Sequence, residues 1–78
     1  MINYKIAITG VVQGVGFRPF VYNLALKYNI KGWVNNDEKG VNILLYAKEE
    51  NIEKFINELK INPPVLAKIN SMNIEKIT

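Results

Sequence analysis

From Gly10 to Arg18 the chain reads Gly-Val-Val-Gln-Gly-Val-Gly-Phe-Arg, with three glycines and the only arginine of a sequence that otherwise carries its positive charge on nine lysines. A lysine is a point charge on a flexible stem, whereas a guanidinium is a planar fork that meets two phosphate oxygens at once. Gly14 and Gly16 let successive backbone N–H groups turn inward with no Cβ in the way. The loop opens onto a helix start, where free amides and the helix dipole favour an anion. The chemistry suited to this stretch is the holding of a phosphate-like dianion, with Arg18 as a fixed clamp. Taken by themselves, the same residues also fit a plain glycine turn between strand and helix that carries a solvated arginine. Two familiar phosphate loops are excluded by spacing: G-x-G-x-x-G needs a glycine where Pro19 stands, and no G-K-[ST] occurs.

Composition narrows the chemistry further. The chain has no cysteine and no histidine, so it lacks a thiolate nucleophile, a disulfide framework, the commonest general base and the commonest metal ligand. Its aliphatic hydroxyls are Thr9, Ser71 and Thr78, none beside an activating base in sequence. A hydrolysis run by this chain must use water as nucleophile and a substrate with a good leaving group. The net charge of +3 favours an anionic ligand modestly and falls short of a nucleic-acid footprint. No apolar run approaches the ~18 residues of a membrane span, and residues 1–12 do not have a signal-peptide pattern. Absence of cysteine is compatible with a reducing compartment, so a cytoplasmic location is expected.

The elements that must position these residues follow from periodicity. Tyr4, Ile6 and Ile8 alternate with Lys5, Ala7 and Thr9, which predicts a first strand over Ile2 to Val12. Phe20, Val21, Leu24, Ala25 and Tyr28 form one helical stripe, with Pro19 in the first turn and Asn29 and Gly32 ending the helix. Lys31 to Asn36 and Val41 to Lys48 read as a hairpin around a loop in which Gly40 takes a positive φ. Asn51 is expected to cap a second helix carrying Ile52, Phe55, Ile56 and Leu59, stopped by Pro63-Pro64. Ala67 to Thr78 supplies a last strand. The order βαββαβ in 78 residues predicts one domain, residues 1–78, of α+β class. Its expected fold is ferredoxin-like: a four-stranded antiparallel-type sheet with two helices on one face. Right-handed crossovers then make the first two strands run the same way, so the Gln13 to Arg18 loop and Asn36 emerge on one rim.

Two segments carry a resemblance beyond isolated glycines. G-V-V-Q-G-V-G-F-R at Gly10 to Arg18 resembles the first signature of the acylphosphatase family, and G-W-V-N-N-D-E-K-G at Gly32 to Gly40 resembles its second. The resemblance implies a small enzyme that hydrolyses carboxyl-phosphate anhydrides with no metal and no cofactor. Arg18 then matches the phosphate-binding arginine and Asn36 the water-orienting asparagine. The backbone of Val12, Gln13, Gly14, Val15, Gly16 and Phe17 matches the phosphate cradle. G-F-R-P-F-V and the later P-P-V-L-A-K-I-N-S are most similar to the N-terminal acylphosphatase domain of HypF-type carbamoyltransferases, which mature nickel-iron hydrogenases. That likeness implies carbamoyl phosphate as substrate and further domains of a larger carbamoyltransferase as partners, with no nucleic acid and no membrane.

The chain departs from the family pattern after Gly40, where Val41 follows directly and Asn42 takes the valine position, leaving the strand register open. Asn35 is expected to face away from Asn36 and has no assigned role. The competing reading is a non-catalytic ferredoxin-like module that binds phosphate or docks a subunit, since fold alone does not fix function. An RNA-recognition reading is poor, because Val41 to Lys48 offers only Tyr46 as an aromatic platform. Trp33 is a useful fluorescent reporter of phosphate if it lies near the rim.

Overall fold

The computed structural model describes residues 1–77, and its first strand sets the inside and outside of everything else. Strand β1 (Ile2–Val11) pairs with β3 (Gly40–Ala47) so that Ile6 lies opposite Ile43 and Ile8 opposite Val41. Those side chains, with Leu45 and Ala47, are all buried, whereas Asn42, Leu44 and Tyr46 between them are not. The period of two thus gives the sheet one apolar face and one open face. Strand β2 (Lys31–Asn36) pairs antiparallel with β3, and β4 (Lys68–Lys76) antiparallel with β1, giving the order β2-β3-β1-β4. Thr78, the expected end of the last strand, lies outside the described residues.

Both helices cover the apolar face. Helix α1 (Phe17–Lys27) buries Phe17, Val21 and Leu24, with Phe20 and Ala25 partly covered beside them. Helix α2 (Glu49–Ile61) places Ile52, Phe55 and Leu59 in the same core, each fully removed from solvent. The α+β class, the element order and the antiparallel sheet agree with the expectation from periodicity. Glu58 ties the helices together, accepting hydrogen bonds from Lys27 Nζ (2.8 Å) and Tyr28 Oη (2.6 Å). The Lys27 bond, then the Tyr28 bond, holds its carboxyl below the ordinary range.

Three local expectations change. Helix α2 starts at Glu49 rather than after Asn51: the Lys48 carbonyl accepts the N–H groups of Asn51 and Ile52, and no side chain caps the end. Glu49 and Glu50 occupy the first turn, where the positive end of the dipole favours acids, and this outweighs the capping preference of Asn51. Gly32 takes no part in ending α1 and lies inside β2 opposite Leu45; the helix stops at Lys27, and Asn29 turns the chain just beyond it with a φ of 55°. Gly40 has the expected positive φ but opens β3 itself, pressed against β1, where a Cβ would collide with the Ile8 carbonyl oxygen. Among the described residues no helix is long and apolar enough to cross a membrane.

Truncating Phe55, which no solvent reaches, removes one of the three fully buried side chains that seat α2 on the sheet. Phe55→Ala is expected to cost about 3–5 kcal/mol in urea unfolding, a large share of the roughly 5–15 kcal/mol that holds a typical domain together. A loss below ~1 kcal/mol would mean that the helix is not packed as described.

Candidate active site

Strand β3 lies between β1 and β2 and is antiparallel to both, so β1 and β2 run in the same direction and finish on the same rim. Past the end of β1 the chain is anchored twice, by Val12 (1% exposed) and by Phe17 (2% exposed). Between these anchors Gln13, Gly14 and Gly16 are exposed and Val15 is half-buried, so the backbone of the turn faces outward from a fixed base. Gly14 (φ 72°) and Gly16 (φ 79°) both adopt the left-handed conformation that side chains disfavour. A Cβ at either position would meet nothing within 4 Å. Crowding within the protein therefore does not require these glycines; the backbone conformation does, and the space above them stays open to a ligand.

Gly16 is the residue before α1, and its carbonyl accepts the Phe20 N–H at 3.1 Å. No side chain caps this end and no acid occupies its first turn. Pro19 is the third helical residue, within the first turn, where a missing N–H breaks no helical bond. The arrangement leaves the first amides of α1 and the positive end of its dipole unneutralised, which suits an anion. Arg18, second in the helix, is exposed and has no carboxylate or hydrogen-bond partner among the described residues. An uncommitted guanidinium beside free amides is a place prepared for negative charge.

Asn36 reaches the same place from β2. It lies opposite Val41, which faces the core, so Asn36 is on the helix side of the sheet; Asn35, opposite Asn42, is on the open side as expected. The register that the Gly40-Val41 departure left open is thereby fixed. Arg18 and Asn36 line one pocket of about 120 Å³ together with Val12, Gly14, Gly16, Phe17 and Pro19. Gln13 and Val15, also expected in the cradle, do not contribute to that wall. A larger groove of about 260 Å³ runs along the free edge of β2, walled by residues such as Val21, Tyr22, Leu26 and Trp33. It is the larger space but is mostly apolar, so the smaller rim pocket, with its guanidinium and carboxamide, is where phosphate chemistry is possible. Trp33 belongs to the groove and not to the rim, which removes the basis for using it as a reporter. Among the described residues no cluster of histidine, cysteine, aspartate or glutamate is arranged to hold a metal ion.

The loop after Asn36 is braced by a residue that sequence reasoning passed over. Asp37 Oδ1 accepts the backbone N–H groups of Lys39 (2.8 Å) and Gly40 (3.0 Å), and Oδ2 accepts Asn42 Nδ2 (2.6 Å). The Asn42 bond, then the two backbone bonds, lowers the Asp37 pKa below its ordinary value. The signal was local: an aspartate two and three residues before its N–H donors is an Asx-type turn. The side chain of Gln13 donates to the carbonyls of Asp37 and Gly40, joining the glycine loop to this hairpin.

The family model described as Acylphosphatase matches residues 4–78. The probable carbamoyltransferase HypF of Methanocaldococcus jannaschii is 51% identical over 73 residues, covering 94% of this chain and 10% of that protein. An acylphosphatase of Pseudothermotoga lettingae is 45% identical over 73 residues, covering 92% of this chain and 81% of that protein. The crystal structure of acylphosphatase from Bacillus subtilis superposes with a TM-score of 0.92 at 36% identity, covering 99% of this chain and 86% of that one. The chain thus spans about a tenth of the carbamoyltransferases it matches and most of the length of the small acylphosphatases.

Acid tests the Asp37 brace. Because the folded pKa is depressed, its contribution is fully present above the ordinary aspartate range and is lost as pH falls through the folded value. In a urea series at decreasing pH, wild type should lose more stability than Asp37→Asn, and the Asp37 carboxyl should titrate below its ordinary range by NMR. Parallel acid profiles for the two proteins would contradict the brace.

Proposed function

The chain belongs to the acylphosphatase family, and on that premise we propose that it hydrolyses acyl phosphates by in-line attack of water, with Arg18 and Asn36 as its catalytic residues. The observation that carries this reading is the convergence, on one pocket beside the uncapped start of α1, of a carboxamide and a guanidinium from two different elements, the guanidinium without a partner among the described residues. The backbone of Val12 to Phe17 and the Arg18 fork hold the phosphoryl oxygens. The Asn36 side chain orients a water molecule opposite the acyl oxygen. The P–O bond to that oxygen breaks and its electron pair leaves on the carboxylate as the water oxygen bonds phosphorus. The proton released by the water passes to a phosphate oxygen, so the products are a carboxylate and inorganic phosphate.

This route asks little acid–base help from the protein, in keeping with a chain that has no histidine or cysteine. A carboxylate is a good leaving group without protonation, and phosphoryl transfer is accelerated chiefly by positioning and charge stabilisation. The 78 residues act as one catalytic domain in this reading. Likeness to HypF carbamoyltransferases supports carbamoyl phosphate as the physiological substrate, within [NiFe]-hydrogenase maturation in the cytoplasm. The released carbamate would then pass to further domains of a larger carbamoyltransferase.

Arg18→Ala and Asn36→Ala are each expected to slow hydrolysis of acetyl phosphate by about 10²-fold to 10³-fold, the usual cost of one preorganised donor at such a site. Arg18→Ala should also weaken inhibition by inorganic phosphate, whereas Asn36→Ala should leave it nearly unchanged. A chelator should have no effect, and carbamoyl phosphate should be turned over at least as well as acetyl or benzoyl phosphate. Near-wild-type turnover by either variant, or a strict metal requirement, would refute the mechanism. Phosphate binding without turnover in the wild type would leave a docking or sensing module instead.

A further inference from the structure

We infer that Gln13 is a positioning residue that sets the distance between the phosphate loop and the water-orienting asparagine. The inference rests on the hydrolytic reading above and adds to it a part played by a side chain outside the pocket wall. Arg18 and the loop amides belong to the β1–α1 connection, and Asn36 belongs to the end of β2. No direct pairing joins these two segments, because β3 lies between their strands. In-line attack requires the water held by one segment to sit within a fraction of an ångström of its place relative to the phosphorus held by the other. A misplacement of about 1 Å can cost on the order of 10²-fold in rate.

Gln13 spans that gap. Its Nε2 donates to the carbonyl of Asp37, the residue after Asn36, and to the carbonyl of Gly40 at 3.3 Å, across 24 and 27 residues of sequence. Both partners are oxygen acceptors, so only the amide nitrogen can face them, and its two hydrogens serve one carbonyl each. The Gly40 carbonyl also accepts the Asp37 N–H at 2.9 Å, which closes the hairpin at that point. The Asp37 carboxylate holds the rest of the turn through Lys39, Gly40 and Asn42. The hairpin is therefore closed by its own hydrogen bonds, and Gln13 fastens it to the glycine loop immediately beside Asn36. Gly14, next to Gln13, has no side chain with which to make such a link, and Val12 is committed to the core. A glutamate at position 13 has the same size and no donor, so it would set anionic oxygens against two carbonyls.

The test compares Gln13→Met and Gln13→Glu with wild type on acetyl phosphate, alone and in the Asn36→Ala background. Gln13 is exposed, so Gln13→Met should keep the wild-type thermal midpoint closely enough to be compared, and it carries the comparison if the repulsion in Gln13→Glu lowers that midpoint. Each single variant is expected to lower kcat by about 10-fold to 10²-fold while KM and the inhibition constant of inorganic phosphate stay within about threefold. With Asn36 already replaced, the same change at Gln13 should cost nothing further, because the residue acts through Asn36. Unchanged kcat overturns the inference. So does a matching loss of phosphate affinity, which would make Gln13 part of the cradle, and so does an additive loss in the double variant. Arg18→Ala and Asn36→Ala, run alongside, separate the two levels: their inactivity with an active Gln13→Met sinks this inference alone, whereas their full activity sinks the hydrolytic reading as well.

Discussion

The molecule depends on one strand. β3 pairs antiparallel with β1 on one side and β2 on the other, and that arrangement makes two segments distant in sequence finish together. The cost of ordering this pairing is offset by the face it creates, on which Ile6, Ile8, Val41, Ile43 and Leu45 meet both helices. Were β3 to slip by one residue, its whole apolar set would move to the open face, so burial fixes the register. The same register places Asn36 on the helix side, near Arg18, and Asn35 on the other. Packing and chemistry are thus set by one alternation.

The rim pocket combines firm anchors with an open backbone. Val12 and Phe17 secure the loop to the core, while Gly14 and Gly16 hold conformations that point amides outward with space above them. Helix α1 contributes an uncapped N-terminus, and Arg18 projects from its first turn without a partner among the described residues. Each feature is mildly unfavourable alone: left-handed glycines lose entropy, an uncapped helix end lacks a hydrogen-bond partner, and a free guanidinium contributes no ion pair. A dianion bound at the rim would relieve the last two together. Local choices that oppose stability and agree with one another are the pattern expected where function is built in.

Much of this was legible in the sequence. The alternation at Tyr4, Ile6 and Ile8 and the stripes through Val21 and Phe55 are signals of period two and 3.6, and the topology they imply brings Gly14, Arg18 and Asn36 to one rim. The start of α2 is not legible at Asn51, because its capping preference is weaker than the combination of a bonded Lys48 carbonyl and two early acids. Trp33 was ambiguous because a strand at the edge of a sheet can place an aromatic on either side without breaking any pattern. The Gln13 bridge had no local signature at all. It joins residues 24 and 27 positions apart, and only the folded chain brings a donor pair to those two carbonyls. The Asp37 brace, by contrast, spans two to five residues and was written in the Asn-Asp-x-x-Gly stretch.

The central claim is that one anion site exists where β1 and β2 end. It is tested most directly by titrating the ¹⁵N-labelled chain with inorganic phosphate and following amide and side-chain signals. The account predicts saturable shifts concentrated at the backbone of residues 13–18, the Arg18 guanidinium and the Asn36 carboxamide, with Trp33 and the β2-edge groove silent. Shifts scattered over the lysines, or centred on the groove with the glycine loop unmoved, would contradict it.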